Sequence, residues 1–357
     1  HVIFSRVISG LGTGIHFSVL PMYLGEISPP KIRGILLTII MMASRVAIMF
    51  SYVLVPFVSI QLSALISMSF PIIYVLYFVW LPESPYHWMR RGEREKAAQA
   101  LARFRGTKDI QAELHIIETS VKAEMANSGG LREILCVPGN RKSLTVGVVL
   151  GLIQQLSGSQ AIMMYTQMIF DQANVQLEGK YMAMILGIVQ IVCCGLCAVV
   201  VDRHGRRPLL MFSSIGSLFA TGVVATYFTL QYNKFDTSAI EWLPASGCMF
   251  YVVFYSLGLA PLPTTMVGEL FPTHIKSQSC AIVVFVANFT GFVVGKTYQL
   301  ISDAVGTHVS FWAFTSFNLL GIVYVYFYVP ETKGKTLQEI QDELHRRKSQ
   351  IDTKLPA

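Results

Sequence analysis

Charge is what this sequence has least of: 14% of its 357 residues are Asp, Glu, Lys or Arg and 53% are hydrophobic, against roughly 25% charged in a soluble domain. That shortage excludes an ordinary water-soluble protein. The chain also lacks a disulfide framework. Cys193, Cys194, Cys197, Cys248 and Cys280 sit in apolar runs and Cys136 in a polar segment, without the paired spacing of a secreted scaffold. Cys193-Cys194-x-x-Cys197 has the outline of a metal motif, but small residues packed in a membrane helix is the favoured reading. There is no glycine-rich phosphate loop and no metal-ligand set, so neither a cofactor nor an enzyme is expected. An initiating Met and a secretory leader are missing too, because the chain begins inside an apolar run; it reads as a fragment or an incomplete gene model.

What is present are long apolar runs. From Gly34 to Leu81, Arg45 is the sole charged residue. That stretch exceeds one bilayer crossing of about 20 residues, so it must hold two helices with a turn near Pro56 to Gln61. The same window along the chain predicts spans near 2–24, 34–56, 60–81, 144–169, 181–201, 208–230, 243–268, 278–300 and 309–329, nine crossings of an all-α membrane protein. Placing Lys31 and Arg33 inside puts 23 of the 28 basic residues on one side, the exceptions being Lys180, Lys234, Lys296, Arg6 and Arg45. By the positive-inside rule the tail is then cytoplasmic and the N-terminus outside. The net charge of +7 is thereby a topology signal, and no nucleic-acid partner is expected.

A repeat lies within the chain. Gly25-Glu26-Ile27-Ser28-Pro29-Pro30-Lys31-Ile32-Arg33 closes the first span, and Gly268-Glu269-Leu270-Phe271-Pro272-Thr273-His274-Ile275-Lys276 closes the seventh. Each is followed by two apolar spans and then by Pro82-Glu83-Ser84-Pro85 or Pro330-Glu331-Thr332-Lys333. Two similar halves around a midplane site are what many transporters display. Three further spans precede the second copy, so symmetry predicts three helices ahead of residue 1 and twelve in all. The halves are 1–81 and 143–330, followed by a tail at 331–357. Between them, 82–142 is a polar linker whose 86–142 part holds 11 basic and 7 acidic residues. Within it, Glu93–Leu101 and Ile110–Ala126 read as short amphipathic helices, either a solvated linker or a latch beneath the bundle.

Adjacent carboxamides in an apolar helix, Gln154 and Gln155, need partners and mark either a pathway or a helix contact. Amides both donate and accept, which suits the hydroxyls of an uncharged sugar. Ser157-Gly158-Ser159 just beyond can loosen the helix where it lines a wet cavity. Gln160 and Tyr165 follow, and Gln190 and Asn288 each stand alone in other spans. Tyr255, Phe254 and Phe285 are candidate faces for stacking on a ligand, although lipid or core contact is favoured for most. Glu26, Arg33, Glu83, Asp202, Arg206, Arg207, Glu269, Lys276 and Glu331 fall at helix ends on one side, where opposite charges can bias one of two packings.

These residues resemble the sugar porters of the major facilitator superfamily, especially insect facilitated trehalose and hexose transporters. The resemblance rests on Arg6 with Gly10 and Gly14, on Pro21-Met22-Tyr23 leading to Glu26 and Arg33, and on the Pro82–Pro85 tetrad. It continues through Gln154-Gln155-Leu156-Ser157-Gly158, Asp202-Arg203-His204-Gly205-Arg206-Arg207, Glu269-Leu270-Phe271-Pro272 and Pro330-Glu331-Thr332-Lys333-Gly334. It covers that family's helices four to twelve, nine of an expected twelve. It implies a sugar site that includes Gln154, Gln155, Gln160, Tyr165, Gln190, Asn288 and Thr264, charge pairs that hold an outward-open state, and a plasma-membrane location. Transport would be facilitative or coupled to protons, a coupling that needs an acidic residue in helices ahead of residue 1.

Several positions depart from the family's pattern. Met41 stands for a Gln, Gln160 for an Asn, Met164-Tyr165 for a tyrosine pair, and Thr264 and Phe289 for Trp residues. Arg45, one turn past Met41, falls near the bilayer midplane, where an Arg costs at least about 2.5 kcal/mol unless it faces a cavity or a carboxylate. It joins the candidate substrate residues. The competing readings are a sugar sensor on a transporter scaffold, which the altered site allows, and a channel or seven-helix receptor, which the repeated punctuation does not fit.

Overall fold

The computed structural model describes residues 2–107, 110–126, 131–166, 168–169, 179–271, 273–333 and 339, and every regular element among them is helical. The chain forms two compact units, His1–Ser128 and Gly129–Ala357. Among the described residues seven helical stretches are long and apolar enough to cross a membrane, and a shorter apolar stretch covers Met42–Phe57.

In the first unit, α1 (Val2–Ile27), α2 (Pro30–Leu54) and α3 (Ile60–Phe78) follow the first three predicted spans. Pro30 opens α2, where its missing N–H is harmless. The predicted turn is a single 3-10 turn at Val55–Phe57, after which Ser59 caps α3 by accepting from the Leu62 N–H. The polar segment then folds into α4 (Pro85–Arg90), α5 (Arg94–Arg105) and α6 (Gln111–Ala126). Alternating apolar positions give these helices a small core of their own, with Met89, Ala97, Leu101, Ile110, Leu114, Ile117 and Val121 buried together. Arg105 ties the group to the end of α1, donating to the Ile27 carbonyl at 2.7 Å while gripping Glu113 at 2.6 Å. The α4–α6 part of the linker is therefore a packed group within the first unit, while residues 131–142 fall in the second.

In the second unit α7 (Leu131–Cys136) leads into α8 (Pro138–Gln154), which passes through a π-turn at Gln155–Ser159 into α9 (Gln160–Met164). The expected fourth span thus begins six residues early and leaves helical geometry at Tyr165. Then come α10 (Gly179–His204), α11 (Arg206–Tyr232), α12 (Leu243–Phe254), α13 (Leu262–Leu270), α14 (Thr273–Ala304) and α15 (Thr307–Tyr328). α11 lies against both α12 and α15. Small residues permit this closeness: a Cβ at Gly216 would fall 2.1 Å from the Phe254 ring, and one at Gly258 would fall 2.8 Å from the Leu209 carbonyl oxygen. A second π-turn, Tyr255–Leu259, joins α12 to the proline break before α13. Ser213 of α11 satisfies it from both sides, donating to the Phe254 carbonyl at 2.7 Å and accepting from the Leu259 N–H at 2.9 Å.

Candidate functional site

Two broken helices meet at the Gln154-Gln155 pair. An insertion of one residue into a helical turn frees a carbonyl, and here Ser157 and Ser159 both donate to the Gln154 oxygen, at 2.8 and 3.0 Å. Gly158 supplies the φ of +96° that the turn needs, and the Phe314 ring fills the space a Cβ would take. Ser157 also shares a 2.8 Å hydrogen bond with the buried Tyr251 hydroxyl on α12. Across the same junction Gln154 donates through Nε2 to the Ala260 carbonyl at 2.7 Å, in the break where Pro261 and Pro263 have no N–H. Gln154 thus ties the two helices together through its amide nitrogen.

Gln155 is different. It is 7% exposed, and its Oε1 is buried without a hydrogen-bond partner among the described residues. It points at Gly291 of α14, whose missing side chain makes the room: a Cβ there would lie 2.9 Å from Oε1 and 3.1 Å from Cγ of Gln160. Gln155 and Gln160 therefore converge on one notch, and Asn288 stands one turn before it on α14. Asn288 is exposed and donates to its own helix at Val284. Gln190 is 2% exposed and aims Nε2 at the Met163 thioether, a weak acceptor for a buried amide. Tyr165 lies one turn further along, its hydroxyl donating to Gln299 at 3.2 Å and its ring 5.2 Å from Tyr298.

Other candidates are placed elsewhere. Thr264 is exposed and bonds back to the Pro261 carbonyl. Arg45 is half-buried on α2 in the first unit. Phe254 packs into the Gly216 notch against Phe212, Tyr255 is buried against Tyr251, and Phe285 stacks on Phe289. The first two faces pack between helices, in line with the core contact favoured for most of these aromatics. Gly291, Tyr251 and Ser213 were missed by sequence reasoning; glycines and serines are so common in membrane helices that only the packing singles them out.

Charged helix ends are found in both units. In the second unit Arg206 grips Glu269 at 2.9 Å, with exposures of 19% and 29%. Glu331 makes no guanidinium pair there; it caps α11, accepting from the Arg206 and Arg207 N–H groups at 3.0 Å each and from Lys333 N–H at 2.9 Å. Gly205, at φ +90°, lets that carboxylate approach. Burial would raise the Glu331 pKa, but the N–H donors of Lys333, Arg206, Arg207 and Thr332 outweigh it and hold the carboxyl below its ordinary value. Arg207 donates to the Tyr326 carbonyl, and the exposed Lys276 forms no ion pair among the described residues. In the first unit Glu26 bonds Ser84 and pairs with Arg90 at 3.1 Å, while Glu83 is exposed. Ser84 of the tetrad and Arg90, which no motif flagged, thus hold Glu26. The side chains of Arg33, Met41 and Asp202 lie outside the described residues.

A family model described as "Sugar (and other) transporter" matches residues 1–344. The chain belongs to this sugar transporter family. Among the curated relatives of the family, the facilitated trehalose transporter Tret1 of Anopheles gambiae is 33% identical over 97% of this chain, and that of Aedes aegypti 32% over the same share. The chain spans 44% and 43% of the lengths of those two relatives. A Tret1-2 homolog of Drosophila sechellia is 31% identical, with 71% of its length covered. Among solved structures, the proton:xylose symporter XylE bound to 6-bromo-6-deoxy-D-glucose superposes with a TM-score of 0.74 at 23% identity, over 96% of this chain and 73% of that one. The inward-open conformation of XylE from E. coli gives 0.76 at 21% identity. The fold is therefore that of the major facilitator superfamily.

Proposed function

We propose that the protein carries a sugar across a membrane by alternating access, with Gln155 as the central ligand in the second unit. The observation that carries this reading is the Gln155 oxygen, buried and unpaired beside the Gly291 notch and next to Gln160. An unsatisfied buried acceptor costs about 1–3 kcal/mol, and a sugar hydroxyl would satisfy it. Family membership and relatives named as facilitated trehalose transporters favour trehalose or a hexose. The Arg206–Glu269 pair is a half-buried bond of the kind that can hold one packing and release in another. The skew of basic residues supports a cytoplasmic tail, and we place the protein in the plasma membrane.

Gln155→Ala in the native protein tests the site. Uptake of labelled trehalose or glucose should fall about tenfold, the equivalent of about 1.4 kcal/mol, with surface abundance unchanged. Wild-type uptake by that variant would return Gln155 to a helix-packing role.

A further inference from the structure

The two π-turns of the second unit are tied to each other at two points. Gln154, at the entrance of the first, donates to the Ala260 carbonyl at the exit of the second. Tyr251, one helical turn before the second begins, brings its hydroxyl to within 2.8 Å of Ser157 inside the first. The first tie holds Gln154, and the second reaches Gln155 by way of the backbone.

Ser157 has one hydroxyl proton and spends it on the Gln154 carbonyl at 2.8 Å, so toward Tyr251 it accepts and the phenol donates. Ser159 donates to the same carbonyl oxygen at 3.0 Å. That oxygen belongs to the peptide leading into Gln155, and the Gln155 N–H at the other edge of this peptide is held by the Gly151 and Leu152 carbonyls. A planar peptide bonded at both edges cannot swing, and its plane sets the direction in which the Gln155 side chain leaves the helix. Gly158 gives the turn its bend, at φ +96°, but no stiffness. The phenol, coming from outside the turn, anchors it to α12.

The Tyr251 ring is placed independently of its hydroxyl. It is 1% exposed and stacks on Tyr255, with centroids 5.5 Å and planes 15° apart. A phenylalanine would fill that space equally well, without a polar group that is costly to bury.

We propose that Tyr251 is a positioning residue for sugar recognition: through Ser157 and the peptide between Gln154 and Gln155, its hydroxyl aims the Gln155 carboxamide at the Gly291 notch. This rests on the sugar-transport reading with Gln155 as ligand, and adds a residue that touches no sugar.

The test is uptake of labelled trehalose or glucose, over a range of concentrations, by the native protein in phosphatidylcholine vesicles. Tyr251→Phe should raise the half-saturating concentration about fivefold, the worth of one buried hydrogen bond, and change the maximal rate by less than about twofold. In a Gln155→Ala background the same substitution should change neither, because the group it aims is gone. Wild-type half-saturation in Tyr251→Phe, or an equal loss with and without Gln155, would overturn the positioning role and leave the transport reading standing. If Gln155→Ala alone matches the wild type, or the native protein takes up neither sugar, the reading beneath falls and takes this inference with it. Should Tyr251→Phe fail to reach the vesicles, Ser157→Ala breaks the same bond from the other side and carries the test to the same outcomes.

Discussion

Gln154 and Gln155 are neighbours in sequence with opposite fates. The first spends its amide on the Ala260 carbonyl, while the second keeps a buried oxygen open beside Gly291. Composition identifies both as costly in lipid, but which one has a partner depends on the bulge that turns them apart. Two glycines then separate function from stability. Gly291→Ala places a methyl against the movable end of Gln155, so the carboxamide must turn aside. Sugar affinity should drop about tenfold, or about 1.4 kcal/mol, while the thermal midpoint moves little. Gly158→Ala forces both a positive φ and contact with the Phe314 ring 2.6 Å away. That variant should lose about 1–3 kcal/mol of stability, read as a lower midpoint of unfolding. Equal stability losses for the two, with affinity intact for Gly291→Ala, would remove the notch from the site.

Among the elements, the long apolar helices were legible because lipid imposes a length on them; the predicted boundaries differ from the observed ones by a few residues, most at α8, where Pro138 starts the helix early. The two π-turns were only half legible. Ser157-Gly158-Ser159 announces the first, but the second follows from Ser213, which lies 41 residues from the carbonyl it satisfies. The linker helices were legible from their mixed charge, and their separate core was not, since it depends on α4, α5 and α6 folding back on each other. The role of Glu331 changed most. Read as one of a set of gating charges, it is the cap of α11. Its folded pKa is depressed, so the cap stabilises fully above the unfolded value of about 4.3 and is lost as pH falls through the folded one. The unfolding midpoint should therefore decline below about pH 4.3. Glu331→Gln should flatten that decline and lower stability at neutral pH by about 1 kcal/mol. An unchanged acid profile in the variant would show that the cap carries no such linkage.

At the scale of the whole chain, the internal repeat is the feature sequence showed best, because Glu26 and Glu269 close corresponding spans. The structure adds that the two copies bond differently. Glu26 takes its cation from Arg90, beyond the Pro82–Pro85 tetrad, whereas Glu269 takes Arg206 from the start of α11. Similar punctuation fixes where a carboxylate sits, and the surrounding helices decide what it meets. The central claim, that the native protein is an alternating-access sugar carrier, is tested most directly by exchange. Vesicles containing it are loaded with unlabelled sugar, diluted into labelled sugar, and followed for uptake. A carrier whose site faces one side at a time should accumulate label transiently above equilibrium, and faster than into empty vesicles. Uptake no greater than in protein-free vesicles, or uptake indifferent to the internal sugar, would contradict it.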